Sequence, residues 1–127
     1  MMRLVDSIRL PFFALALAVA GLAAPRPAHA DEEGKEGRVI ALRINTPGSD
    51  AHPSYHGAIT IKVVGTSTLV EYRWGGSTCP KQTLSDREID VLLSAFVQRS
   101  RTKLMPMYTM GEGSGTRCLV GFTLSAG

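Results

Sequence analysis

Apolar and polar residues alternate along three stretches in the first half of the chain, as they do in strands that bury one face. The stretches are 38–44, 58–64 and 68–74. In the first, the alternation predicts one face made of Ile40, Leu42 and Ile44. Val39 is then predicted to lie on the opposite face. A short turn at 65–67 separates the other two stretches, so we predict that they form a hairpin.

A helix is predicted after these strands, because a capping box precedes a run with helical periodicity. The Ser85 hydroxyl can accept a hydrogen bond from the backbone N–H of Glu88, whose carboxylate can reach back to Ser85. Five apolar residues then fall on one stripe, namely Ile89, Leu92, Leu93, Phe96 and Val97. Such a stripe predicts that the helix packs on the apolar face of a sheet.

Two further alternating stretches, 103–110 and 116–124, flank a glycine-rich segment at 111–115 and predict a second hairpin. Pro106 has no N–H for a sheet ladder, so its strand is predicted to be an edge strand or to be bulged there. The order along the chain is then β-β-β-α-β-β. We therefore predict an α+β fold in which one amphipathic helix packs on a small antiparallel sheet.

The first 30 residues have the character of a secretory signal peptide. Arg3 and Arg9 precede an apolar run at 12–24, and residues 28–30 match the small-x-small rule for cleavage before Asp31. The apolar run is short for a membrane anchor. We expect the product to be secreted or periplasmic, with no membrane span in the mature chain.

Removal of this signal changes the charge balance of the protein. The chain of 127 residues has 14 Lys and Arg against 11 Asp and Glu, but residues 31–127 keep 11 basic and 10 acidic side chains. This near-neutral balance gives no indication of nucleic-acid binding. Residues 31–37 contain nothing apolar, so we expect a flexible N-terminus, and 38–127 then form a single small domain.

The two cysteines, Cys79 and Cys118, are predicted to form one disulfide, because an exported protein folds in an oxidising compartment. They lie 39 residues apart, and closing such a loop stabilises the fold by roughly 4 kcal/mol in chain-entropy terms. The bond would join the segment before the helix to the last strand. A catalytic or metal-binding thiol is the alternative, but the chain has no C-x-x-C motif.

Three methionines near the end of the chain have the chemistry of soft-metal ligands. Met105, Met107 and Met110 are thioethers, which suit Cu(I). Met105 and Met107 would share a strand face, and Met110 would point the other way unless the strand bends near Gly111. The alternative is that these side chains fill gaps in the core.

The long loop after the first strand contains a second set of metal-ligand residues. Asp50, His52 and His56 could together hold Zn(II) or Cu(II). Pro53 disfavours a helix that would place the two histidines one turn apart. The alternative is a solvated loop. Tyr72 and Trp74 are also open to two interpretations, as core residues or as aromatic side chains of a binding surface.

The chain contains no recognisable catalytic motif, and in particular no G-x-S-x-G, so we predict a protein that is not an enzyme and needs no cofactor. The first hypothesis for function is a small exported, non-catalytic binding or interaction protein of the cell envelope. It would recognise an unknown protein or small ligand through the loop 45–57 or the hairpin tip 111–115. The alternative is a periplasmic copper-binding protein that uses the methionine-rich strand.

Overall fold

A computed structural model describes residues 31–113 and 115–127 of the chain. The signal peptide predicted at 1–30 lies outside the described residues. The elements are β1 (Glu32–Glu33), β2 (Gly37–Ile44), β3 (Gly57–Val63), β4 (Leu69–Trp74), α1 (Asp86–Val97), β5 (Thr102–Met110) and β6 (Arg117–Ala126). In this part of the chain no helix is both long enough and apolar enough to cross a bilayer.

The strands form a barrel and not the simple open sheet that the sequence predicts. The order β5-β2-β3-β4-β6 closes on itself, because β6 also pairs with β5 along its whole length. β4 and β6 meet in parallel at Arg73 and Cys118, whereas the other pairings are antiparallel. Hydrophobic alternation specifies which face of a strand is buried, but it does not specify which edges meet. Closure could therefore not be read from the sequence.

The path of the chain through the barrel is a Greek key. The consecutive strands β2, β3 and β4 form a meander, and β5 returns after α1 to lie beside β2. The result is a small five-stranded Greek-key barrel. Such a topology carries no function by itself, so function has to be argued from the surface residues.

The first described residues belong to the barrel wall. Glu32 and Glu33 pair with β5 opposite Tyr108 and Met107, although the sequence predicts a flexible segment here. The pairing uses backbone groups, so it does not need the apolar side chains that this segment lacks. Gly37 then pairs with both Leu104 of β5 and Val63 of β3, and a Cβ on Gly37 would collide with the backbone of Lys62.

Pro106 lies in an interior strand of the barrel, because β5 is flanked by β6 on one side and by β1 and β2 on the other. Its carbonyl accepts a hydrogen bond of 2.8 Å from the N–H of Gly34. The nitrogen and the carbonyl of a strand residue point to the same side. The nitrogen of Pro106 therefore faces the gap between the pairing of β5 with β1 and its pairing with β2, where no N–H is needed. The irregularity in this pairing lies between Met107 and Tyr108, and its extra residue is Val120 of β6. The predicted edge position and the predicted bulge at Pro106 are therefore both wrong.

A register shift in β2 changes which of its side chains enter the core. The irregularity lies between Val39 and Ala41, so Val39 is 1% exposed and Ile40 is 37% exposed. Val39 and Leu42, which the sequence places on opposite faces, therefore both lie toward the core, because one extra residue in a strand reverses the alternation. The core cluster consists of Val39, Ile59, Ile61, Tyr72, Trp74, Leu92, Ala95, Leu104 and Leu119.

The helix begins at the predicted capping box. Glu88 N–H donates to Ser85 Oγ over 3.2 Å, and Ser85 N–H donates to the Glu88 carboxylate over 2.7 Å. The buried face is narrower than the predicted stripe, since only Leu92 and Ala95 are buried and Ile89 and Phe96 are partly buried. Leu93 and Val97 are exposed, because the helix contacts the barrel along a single line beside β2.

Cys79 and Cys118 form the predicted disulfide, with a Cα–Cα distance of 5.6 Å. Both residues are completely buried. Cys79 lies in the connection between β4 and α1, and Cys118 is the second residue of β6. The bond therefore fixes that connection to the start of the last strand, next to the parallel contact between β4 and β6.

Candidate functional site

The loop between β2 and β3 is folded on itself by its own hydrogen bonds. Ser54 and Tyr55 both donate backbone N–H groups to the carbonyl of Ala51, and Ser49 donates to Thr46. Asn45 closes the base of the loop, because its buried side-chain amide donates to the carbonyl of Tyr55 over 2.9 Å. A loop held in this way presents a defined surface despite its length.

The segment after β4 packs against this loop through backbone contacts. Ser77 N–H donates to the carbonyl of Pro53, and Thr78 donates both its N–H and its hydroxyl to the carbonyl of Ser54, at 3.0 and 2.8 Å. Gly76 allows the close approach. Its φ is +69°, and a Cβ at this position would lie 2.5 Å from the Ser54 carbonyl.

The hairpin between β5 and β6 adds the third part of the same surface. Glu112 N–H donates to the carbonyl of Thr78 over 2.9 Å, and the disulfide fixes Cys79 to the start of β6. We call the segments 45–56, 75–79 and 111–113 the loop surface. Three distant parts of the chain thus meet at Thr78, which contacts both neighbouring segments.

Both segments that the sequence singles out, 45–57 and 111–115, contribute to this loop surface. Sequence reasoning missed the segment 75–79 that lies between them. Its contacts are made mainly by backbone atoms, which leave no side-chain pattern to recognise. The adjacent glycines Gly75 and Gly76, three residues before the disulfide cysteine Cys79, were the only available signal, since paired glycines permit close backbone approach.

A stack of cationic and aromatic side chains borders the loop surface. The guanidinium of Arg73 lies 4.0 Å from the centroid of the Tyr55 ring, and that of Arg43 lies 5.5 Å from it. Pairing across the sheet explains the arrangement, because Arg43 and Arg73 flank Ala58 on either side of β3. Glu71 forms an ion pair of 2.7 Å with Arg73. The stack fixes both arginines and the end of the loop in place.

The two loop histidines stack on each other. The ring centroids of His52 and His56 are 4.2 Å apart, and the planes differ by 13°. Both rings are half-buried, whereas Asp50 is exposed. Among residues 31–113 and 115–127, no group of three or more His, Cys, Asp or Glu side chains is placed to hold a metal ion. The three predicted loop ligands are thus not assembled into one set in this structure.

The three methionines of β5 lie outside the core. Met107 and Met110 are exposed, and Met105 is half-buried. Met110 lies at the end of β5, where its side chain is left exposed. None of the three methionines is buried, which differs from the interpretation of these residues as core fillers.

Tyr72 and Trp74 are both core residues, each 2% exposed. Neither belongs to a binding surface, which resolves the two interpretations left open by the sequence. Burial raises the pKa of the Tyr72 phenol, and the nearby charge of Arg117 partly opposes this shift. Tyr108 packs beside Tyr72 with the ring centroids 5.6 Å apart.

A small cavity of about 190 Å³ lies beside the disulfide, between the connection at Pro80–Gln82 and the end of β5. Thr109, which lines it, is buried, and its hydroxyl has no hydrogen-bond partner among the described residues. A buried hydroxyl of this kind is commonly satisfied by water in a cavity large enough to hold it.

Comparison with known proteins adds no relative. No protein family matches the chain, and no curated protein or solved structure matches it significantly.

Proposed function

We propose that the protein is a small exported, non-catalytic binding domain of the cell envelope that recognises a partner protein through the loop surface. The observation that carries the proposal is the joining of three distant segments at Thr78 and the disulfide. A surface that is ordered before binding loses little conformational entropy when a partner docks. The loop surface, being held in place before binding, is therefore suited to docking a partner protein.

The chemistry of the loop surface also supports recognition of a protein. The stacked, half-buried rings of His52 and His56 belong to this surface. The guanidinium groups of Arg43 and Arg73 lie at its border, where they pack on the buried ring of Tyr55. Aromatic and arginine side chains contribute much of the binding energy in protein interfaces, because they combine a large contact area with few flexible bonds.

The proposed location depends on the disulfide together with the signal-like composition of residues 1–30. Disulfides persist in secreted and periplasmic proteins, whereas cytosolic thiols are kept reduced. The bond between Cys79 and Cys118 is compatible with export, and the apolar run followed by residues 28–30 supplies the expected signal.

The test is site-specific crosslinking in an envelope extract. A photo-reactive side chain at Ser49 or Asp50, both on the loop surface, should yield a defined adduct with one partner. The same group at Thr123, which is exposed on β6, serves as the control. Replacing His52 by Ala should reduce the adduct, while circular dichroism verifies that the fold is kept. Equal adducts from the loop and control positions would refute the proposal.

A second candidate function is supported by the solvent access of the methionines. Met107 and Met110 are exposed on β5 and Met105 is half-buried, so thioethers are available there to bind Cu(I). Titration of Cu(I) against a competing chelator should give a dissociation constant below the micromolar range. Replacing both Met105 and Met107 by Leu should abolish that binding, and unchanged binding in the double variant would eliminate this candidate.

A further inference from the structure

A groove of about 500 Å³ lies at the end of β3 that is remote from the loop surface. Gly57, at the start of β3, adjoins the loop surface, whereas Lys62 and Val63, at its other end, line the groove. The walls come from β2, from the turn between β3 and β4 and from the residues after α1. The lining includes the side chains of Arg38, Ile40, Lys62, Val64 and Arg99.

The lining of the groove contains three cations and no carboxylate. Lys62 and Arg99 are exposed, and Arg38 is half-buried. The described residues contain one ion pair, and it lies elsewhere, between Arg73 and Glu71. In a domain whose charges otherwise nearly balance, this concentration of uncompensated positive charge creates a field that favours an anionic ligand.

Arg38 is held rigidly in this position. Its Nη1 donates to the carbonyl of Arg99 over 2.8 Å and to that of Thr102 over 3.5 Å, and its Nη2 donates to the carbonyl of Gly127 over 3.4 Å. The acceptors on Arg99 and Thr102 are neutral backbone carbonyls, so these two hydrogen bonds position the guanidinium without cancelling its charge. Arg99 is likewise held, because its Nη1 donates to the carbonyl of Phe96 over 3.0 Å.

Apolar side chains lie next to these cations. Ile40 reaches the groove because of the bulge in β2, and Val64 follows the last residue of β3. Both are large hydrophobic residues left exposed, at 37% and 47%. The groove therefore offers positive charge and apolar surface side by side, within the size range of ligand-binding clefts.

We propose that this groove binds an acidic segment of a partner protein, in which Asp or Glu side chains alternate with an apolar residue. The carboxylates contact Lys62 and Arg99, and the apolar side chain packs on Ile40 and Val64. This site is separate from the loop surface and goes beyond the proposed function. A peptide is favoured over a bilayer because the cations line a concave groove and residues 31–127 have a near-neutral charge balance, with 11 basic and 10 acidic side chains.

The test uses the purified protein and two short synthetic peptides. In the first, Glu alternates with Leu, and in the second Gln replaces every Glu. Fluorescence anisotropy should show binding of the acidic peptide alone, and the affinity should fall as salt is raised. K62Q and R99Q should each weaken binding about fivefold, the effect of losing one exposed charge pair. Lys81 and Arg87 lie outside the groove lining, so K81Q and R87Q are the matched controls.

Three outcomes would overturn the proposal. The first is equal binding of the Gln peptide, and the second is equal losses in the groove variants and their controls. The third is that no saturable binding occurs up to millimolar peptide, while the protein sediments with vesicles of anionic phospholipid and K62Q abolishes this sedimentation. Arg38 is not substituted, because its hydrogen bonds to three carbonyls hold the fold.

Discussion

At the scale of single residues, Gly76 shows how one backbone conformation holds the candidate site together. We expect Gly76→Ala to lower the free energy of unfolding by about 1–3 kcal/mol, because φ is +69° and the new Cβ would meet Ser54. Gly48→Ala is the matched control, since nothing lies within 4 Å of a Cβ there and its φ is not positive. Urea denaturation measures both, and equal stabilities would contradict the expectation.

Tyr72 gives a second expectation at this scale, for alkaline solution. Burial raises its pKa, so the folded protein favours the neutral phenol. The resulting contribution to stability is complete below the unfolded value of about 10 and is lost as pH rises through the folded pKa. Melting temperatures should fall more steeply above about pH 10 in the natural protein than in Y72F. Parallel declines would show that this phenol is not responsible.

At the scale of elements, the capping box of α1 is directly testable. Ser85→Ala removes the acceptor for the Glu88 N–H and should cost about 1 kcal/mol of stability. Chemical denaturation checks this value, with Ser94→Ala, inside the same helix, as the control for losing a serine hydroxyl. If Ser85→Ala loses no stability, or if both variants lose the same amount, the capping box has no stabilising role.

Glu88 makes the same element sensitive to acid. Hydrogen bonds from the backbone N–H and hydroxyl of Ser85 lower the pKa of its carboxyl. The stabilisation is therefore present above the unfolded pKa and is lost as pH falls through the folded value. Thermal melts between neutral and acidic pH should show this loss in the natural protein, whereas E88Q should lack this component of the decline.

The sequence predicts the strands and the helix because their signals are local. Alternation marks the strands, and Ser85 with Glu88 marks the start of α1. The bulge that turns both Val39 and Leu42 toward the core was not predictable, because it depends on how β2 fits against β3. Local sequence patterns thus predict the strands and the helix, whereas the packing between these elements decides which face of each one is buried.

The candidate sites, like the fold, could be predicted from the sequence only where their signals are local. The loops 45–57 and 111–115 stand out through turn-forming residues, but their junction at Thr78 is made mainly by backbone atoms. The groove could not be anticipated either, because Arg38, Lys62 and Arg99 come from β2, β3 and the end of α1. Their convergence depends on barrel closure, which is non-local.

At the scale of the whole molecule, the disulfide joins the loop surface to the barrel. Replacing Cys79 and Cys118 by Ala should lower the free energy of unfolding by about 2–5 kcal/mol. Before global unfolding, the amides of Thr78 and Glu112 should exchange faster with solvent, because their segments lose the covalent tie. Hydrogen exchange followed by NMR measures both effects. Unchanged protection of these amides would mean that backbone contacts alone order the loop surface.

The two places where the barrel closes have a consequence for how the molecule opens. In the described part of the chain, β4 meets β6 at one residue pair and β2 meets β5 at one, whereas β5 and β6 are paired along their whole length. The last hairpin is thus attached to the meander by two narrow backbone junctions and by the core that Leu104 and Leu119 share with β3 and β4. Once a reducing agent has opened the disulfide, this hairpin should separate from the meander before either the hairpin or the meander unfolds.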